Sequence, residues 1–306
     1  MTRRNERMAY FNGRIVPESQ VLIPFRDRGF LYGDAVFDTT RTFNHKPFRL
    51  KEHVERLYRS LSYLRIDPGL KPEALIAITE EVLALNLPLL DPDEDTWVTQ
   101  RISRGLRAGA GEARAEPTVI VETWPLPLAE RASLFRDGIA VVVPPTRRTP
   151  PDMLSPRAKT HNYLNLIVGD LEAKSVDPLA WAVLLDADGH LSEGIGSNIF
   201  LVRAGRLLTP QARHVLPGIS RLTVIELAEK LAIPVAETGL DLYDAYTADE
   251  AFLTSTSLCI CPVRSINGHL LGDGGIPGPV TRRLTEAYIE LVGCDFVGQH
   301  LRRLAA

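Results

Sequence analysis

Residues 155–173 read SPRAKTHNYLNLIVGDLEA. The stretch sets Lys159 just ahead of an apolar-periodic helix bearing Leu164, Leu166, Ile167 and Leu171, with Thr160, His161, Asn162 and Tyr163 beside it. An ammonium near a helix start is opposed by the positive end of the helix dipole and, if buried, by desolvation, so the neutral amine is favoured. A neutral amine is a nucleophile toward aldehydes. Taken alone, the same lysine also suits a solvated loop before a helix, and that alternative stays open at this point.

Two further stretches narrow the choice. LPGISRLTVIEL (216–227) joins a Pro-Gly turn to an amphipathic helix, which puts the amides of Ile219 and Ser220 at the helix start beside a hydroxyl. Such a terminus is a cup for phosphate. LSEGIGSNIFLV (191–202) places Glu193 ahead of a Gly-x-Gly turn leading into a strand. A carboxylate there needs a cationic or protonated partner if it is buried. A lysine for an aldehyde, a cup for a phosphate and an acid for a protonated ring nitrogen together describe pyridoxal 5'-phosphate.

With FLYGDAVFDTTRTFNHKPFRLKEHVERL (30–57) and FLTSTSLCICPV (252–263) added in the same order, the chain resembles the class IV aminotransferases. These are the fold-type IV pyridoxal-phosphate enzymes, among them the branched-chain and D-amino-acid aminotransferases, and the likeness covers nearly the whole chain. The resemblance implies an α+β fold in two domains: a small N-terminal α/β domain and a larger C-terminal pseudo-barrel domain carrying the lysine. It implies Lys159 as the lysine that joins the cofactor and later moves a proton. Arg56 of the HxxRL pattern, Ile219, Ser220 and Thr256 would hold phosphate, with Glu193 at the ring nitrogen, Leu216 against the ring, Tyr163 donating to the phenolate oxygen and Tyr32 facing the substrate. Plainer readings stand beside these: Arg56 as a solvated arginine paired with Glu52, Leu216 as a core leucine, Tyr163 as a buried tyrosine with its hydroxyl satisfied, and Thr254 to Ser257 as an ordinary turn.

The substrate class is the most open point. Arg101 shares a strand face with Trp97 and Thr99, where a guanidinium suits bidentate contact with a carboxylate. The following loop, RGLRAGAGEAR (104–114), lacks the Arg-x-His pair of the D-amino-acid enzymes, while Thr99-Gln100-Arg101 stands where branched-chain enzymes carry Tyr-x-Arg. The opening RGLR resembles the (R)-selective amine transaminases, and Arg104 and Arg107 are alternatives to Arg101. The expected activity is ping-pong transamination from a branched-chain-like amino acid or an amine to a 2-oxo acid. D-amino-acid or (R)-amine selectivity, an aminodeoxychorismate lyase and a catalytically silent cofactor-binding protein are the alternatives. The resemblance further implies a homodimer whose neighbouring subunit lends the loop spanning Arg104 to Gly111.

Composition agrees with a soluble enzyme acting on small molecules. A chain of 306 residues exceeds the usual single domain. Its net charge of −3 makes no electrostatic case for nucleic acid or an anionic membrane. No run of apolar residues is long enough to span a bilayer, and MTRRNERMAYFNG lacks the apolar core of a signal peptide, so a cytoplasmic location is expected. Cys259, Cys261 and Cys294 are too few and odd in number for a disulfide framework. Cys259 and Cys261 alternate on an apolar strand-like run and suit core packing; no metal site is expected.

Local patterns predict the elements. Asn12-Gly13 marks a hairpin within Met8 to Ile23. Leu50, Val54, Leu57, Leu61 and Leu64 fall on one face of a helix over 49–64, and 72–86 is a second helix. Strands are expected near 97–103 and 119–123, closing a first domain at residue 124. Pro125, Pro127 and the charged Ala129 to Arg131 suggest a linker over 125–137. The second domain, 138–306, then alternates short strands with helices near 220–231 and 279–291.

Overall fold

The computed structural model describes residues 6–106 and 116–305. The chain divides into two compact units, Met1–Leu126 with Ala158–Asn162, and Pro127–Arg157 with Tyr163–Ala306.

The first unit is built on a six-stranded sheet. Asn12 and Gly13, both at positive φ, turn β1 (Met8–Phe11) into β2 (Arg14–Pro17), as the Asn-Gly pair predicts. With β3 (Ala35–Phe43), β4 (Lys46–Pro47), β5 (Thr96–Ser103) and β6 (Thr118–Pro125), the strand order is β2-β1-β6-β5-β3-β4. A short helix α1 (Arg28–Tyr32) precedes β3, and α2 (Leu50–Leu64) and α3 (Pro72–Asn86) follow. Leu50, Val54, Leu57 and Leu61 of α2 are buried against Val36, Val98, Ile102 and Val121 of the sheet and against Leu75, Val82 and Leu83 of α3. Each such side chain contributes about 1.5–3 kcal/mol by leaving water. The same buried face of α2 carries His53, Arg56 and Ser60.

The outer edge of β3 is shared. Thr42 and Phe43 pair with β4, and the other half takes up the lysine segment through an antiparallel bridge between Val36 and Thr160. Phe37 N donates to Lys159 O at 3.0 Å and His161 N donates to Ala35 O at 2.9 Å. Residues 158–162 therefore pack with the first unit, whereas sequence position alone groups them with the C-terminal domain. Their backbone groups fill an otherwise open sheet edge.

The second unit has the strand-rich character expected of it. Its strands are β7 (Ile139–Val142), β8 (Trp181–Ala182), β9 (Asn198–Arg203), β10 (Arg206–Pro210), β11 (Val235–Thr238), β12 (Glu250–Ser255), β13 (Cys259–Ile266) and β14 (His269–Leu270). They form one mixed sheet in the order β11-β10-β9-β12-β13-β7-β8, with β14 on β13. The helices are α4 (Leu128–Asp137), α5 (Leu164–Val176), α6 (Ile219–Lys230), α7 (Leu242–Tyr246), α8 (Pro279–Val292) and α9 (Phe296–Leu301). Most of the stretch expected as a linker is thus the helix α4. It buries Leu128, Ala132 and Phe135 at helical spacing, and Phe135 packs on Phe296 and His300 of α9. In α5 the inward residues are Leu166, Gly169 and Ala173, while Leu164 and Leu171 are 72% and 63% exposed.

Candidate active site

In the first unit, the pleat of β3 sends Asp38 to the α2 side with Val36 and Thr40. There it meets the polar stripe of α2. Arg56 Nε donates to Asp38 Oδ2 at 2.8 Å and Nη2 to Oδ1 at 2.7 Å. His53 Nδ1 lies 2.7 Å from Oδ1, and Thr39 N donates to the same oxygen at 2.8 Å. Burial alone would raise the Asp38 pKa, but the Arg56 and His53 contacts outweigh it and hold the carboxyl well below the usual carboxylate range. His53 is pushed down by its own burial, with Arg56 and Lys159 adding to the effect against Asp38. The solvated pairing of Arg56 with Glu52 does not form; Glu52 lies 3.6 Å from Arg49.

One turn further along α2, Ser60 Oγ donates to Arg56 O at 3.1 Å and accepts from Lys159 N at 3.0 Å. Lys159 is thereby fixed by its backbone on both sides, and its Nζ rests 4.5 Å from the Phe37 ring centre. The same ring has the Arg101 guanidinium at 5.5 Å and His161 edge-on at 5.3 Å. Burial, then Arg101 and Lys159, bring His161 down to about 4 against the opposing pull of Asp27. Arg101 Nε donates to Glu122 Oε1 at 2.7 Å. This unit thus gathers Lys159, Arg56 and Arg101. Tyr32 ends α1 as a 63% exposed residue, with the Arg28 guanidinium 5.8 Å from its ring centre. Arg104 is committed elsewhere: it forks onto Asp34 at 2.7 and 3.0 Å and donates to the carbonyls of Leu64 and Arg65. Arg107 lies outside the described residues.

In the second unit, Glu193 is buried and both its oxygens are engaged. Oε1 accepts from Arg148 Nε at 2.9 Å and Oε2 from Leu216 N at 2.8 Å. Arg148 is the cationic partner that a buried Glu193 requires, and no spacing in the sequence points to it from forty-five positions away. Asn165 Oδ1 accepts from Thr149 N at 2.9 Å, steadying that strand of chain, and Asn198 Nδ2 donates to Leu216 O at 3.1 Å. Helix α6 begins after Gly218 with no side-chain cap, and a Cβ at Gly218 would collide with the Asn198 side-chain oxygen. Ser220 Oγ donates to Ser255 O at 3.0 Å, which sets the turn holding Thr256 beside the start of α6. Arg131 of α4 donates to Ser257 in that turn. Tyr163 stands at the N-terminus of α5 and packs on Leu166, Ala182 and Leu184.

This donor set fits a phosphorylated pyridine aldehyde. Uncapped amides at a helix N-terminus beside hydroxyls suit a phosphate, and a carboxylate holding two donors keeps lone pairs for a ring N–H.

A sequence profile for the family described as amino-transferase class IV matches residues 35–266. Branched-chain-amino-acid aminotransferase of Escherichia coli K12 is 31% identical over 95% of this chain and 94% of its own length. A crystal structure of the Escherichia coli branched-chain enzyme is similar at a TM-score of 0.85, with 30% identity, covering 94% of this chain and 95% of that one. A second branched-chain amino acid aminotransferase, that of T.th. complexed with N-(5'-phosphopyridoxyl)-L-glutamate, is similar at a TM-score of 0.83 and 30% identity, covering 94% of each chain. D-alanine aminotransferase of Bacillus licheniformis is 29% identical over 90% of this chain and 94% of its own length.

Proposed function

The chain belongs to the class IV aminotransferases, and on that premise we propose that it holds pyridoxal 5'-phosphate on Lys159 and takes amino groups from branched-chain amino acids. Enzymes of this class depend on pyridoxal phosphate and act on amino acids and 2-oxo acids, alternating two half-reactions. When bound, the cofactor supplies an aldehyde for the incoming amine and a ring that takes up the electron pair left at the substrate carbon.

The chain's own residues do the rest. Lys159 Nζ would provide the amine that holds the cofactor through its aldehyde and would act as the base that moves a proton at the substrate carbon. Glu193 keeps a proton at the ring nitrogen. Arg56, the amides of Ile219 and Ser220, and Thr256 would hold the phosphate; Leu216 would pack on the ring and Tyr163 would donate to the phenolate oxygen. Arg101 receives the substrate carboxylate, with Tyr32 and, from outside the described residues, Arg107 as further substrate contacts.

The observation carrying this reading is the mounting of Lys159, whose N and O are tied to Ser60 and Phe37 one helical turn from Arg56. A surface lysine needs no such anchoring. Among the described residues no helix is long and apolar enough to cross a membrane, which suits a cytoplasmic enzyme. Self-association into a homodimer is supported by apolar side chains left outside the folded unit, Leu22, Phe25 and Phe30 being 75%, 69% and 74% exposed.

Borohydride treatment of the protein mixed with pyridoxal 5'-phosphate, followed by peptide mapping, should place the label on Lys159. A label elsewhere, or none, rejects the assignment. With 2-oxoglutarate as acceptor, L-leucine should outpace D-alanine and (R)-1-phenylethylamine. The similarity to a D-alanine aminotransferase supports D-amino-acid turnover as the second reading.

A further inference from the structure

The face of the first sheet turned away from α2 carries a row of side chains set by strand register. Phe37 of β3 stands opposite Arg101 of β5, and the bridge between Val36 and Thr160 sets Lys159 opposite Phe37 on its other side. On the neighbouring row Thr99 faces Glu122 of β6. The Lys159 amine and the Arg101 guanidinium therefore flank one ring, at 4.5 and 5.5 Å from its centre. Arg101 meets Glu122 through Nε alone, at 2.7 Å, and among the described residues neither of its Nη groups has a hydrogen-bond partner. Their end-on edge is one that a carboxylate takes by a two-point contact. An ion pair whose side chains are 41% and 28% exposed contributes little to stability, so folding alone gives small reason for an acid at this position.

We infer that Glu122 is a specificity-determining residue: it competes with the substrate carboxylate for Arg101, and so sets how strongly the site prefers donors that carry a carboxylate over amines that lack one. This rests on the reading that Arg101 receives that carboxylate. An acid arriving at the Nη edge finds a guanidinium whose charge Glu122 already offsets, and two carboxylates on one small group repel each other. A donor without a carboxylate leaves the pair closed and meets no bare cation. Glu122 thus lowers affinity for amino acids and 2-oxo acids and leaves that for neutral-ended amines unchanged.

The test uses the full-length protein loaded with pyridoxal 5'-phosphate. It is titrated calorimetrically with 4-methylpentanoate and with 4-methylpentanamide, which differ in charge and carry no amine to react. In Glu122→Gln the acid should bind about twofold to fivefold tighter, the scale of a partly solvated ion pair, while the amide is unchanged. Glu122→Ala should move the acid in the same direction, so the result does not hang on one variant folding. Arg101→Ala should weaken binding of the acid, and adding Glu122→Gln to it should gain less than the same change gains in the wild-type background, because Glu122 acts through Arg101. In turnover, the ratio of kcat/KM for L-leucine to that for (R)-1-phenylethylamine should rise in Glu122→Gln. Acid binding that is unchanged or weaker in the Glu122 variants, an equal gain for acid and amide, or a gain of the same size without Arg101 would overturn the proposal. Acid binding unaffected by Arg101→Ala removes the Arg101 reading itself and this proposal with it, a failure distinct from an unmoved Glu122 variant.

Discussion

Two arginine–carboxylate pairs in the first unit have the same chemistry and the same 2.7 Å separation, and they differ in their surroundings. Arg56 and Asp38 are 3% and 0% exposed in their side chains, whereas Arg101 and Glu122 are 41% and 28% exposed. In the core, removing one partner strands the other without water, so the buried pair is locked. Near solvent the contact is screened and its partners exchange readily. The first setting suits a residue that must hold one direction. The second suits the role proposed for Arg101, in which a substrate carboxylate would share or displace Glu122.

The largest effect that could break this contrast is Arg56→Ala. Unfolding of the apoprotein in urea should show a loss of about 3–5 kcal/mol, because Asp38 is left charged and buried. A loss under about 1 kcal/mol would mean the core tolerates that charge and the two pairs are alike.

Acid provides a graded test. The folded-state pKa of His161, about 4, lies below its ordinary 6.5, so protons favour the unfolded chain. The stability this contributes is complete above pH 6.5 and drains as pH falls toward 4. His53, also pushed down, adds to that decline. Asp38, held low, contributes in full above its ordinary value of 3.8 and loses that contribution only as pH falls further. Urea midpoints measured from neutral pH downward should therefore decline in two windows, and His161→Phe should lessen the upper one while leaving the lower. An undiminished upper decline in that variant would show that His161 titrates normally.

The smallest change in stability is expected from Arg101→Ala, within about 1 kcal/mol for an exposed pair. Its effect should fall on function, lowering turnover of L-leucine while sparing (R)-1-phenylethylamine, which has no carboxylate. Equal loss for both donors would deny Arg101 that role.

Much of the fold was legible because it is local. The apolar spacing from Leu50 to Leu61, the Asn12-Gly13 turn and the Pro-Gly entry to α6 each act over a few residues. Other features read poorly for identifiable reasons. Pro125, Pro127 and neighbouring charges masked α4, whose inward face is only Leu128, Ala132 and Phe135. The apolar spacing of α5 suggested a buried face, yet Leu164 and Leu171 point outward because small Gly169 and Ala173 let the opposite side approach its neighbours. Lys159, Glu193 and the α6 start stood out as chemistry, whereas Asp38 and Arg148, which hold Arg56 and Glu193, looked like ordinary charged residues.

By itself the sequence determined the family and the elements with strong periodicity or turn signals, and it singled out Lys159, Glu193 and the start of α6 as candidates, since periodicity and motif spacing are properties of neighbouring positions. Tertiary structure alone decided which charge meets which. It drew Arg148 to Glu193, turned Arg56 inward to Asp38 and seated Lys159 on the edge of β3, because buried polar groups must find partners and those partners lie far away along the chain.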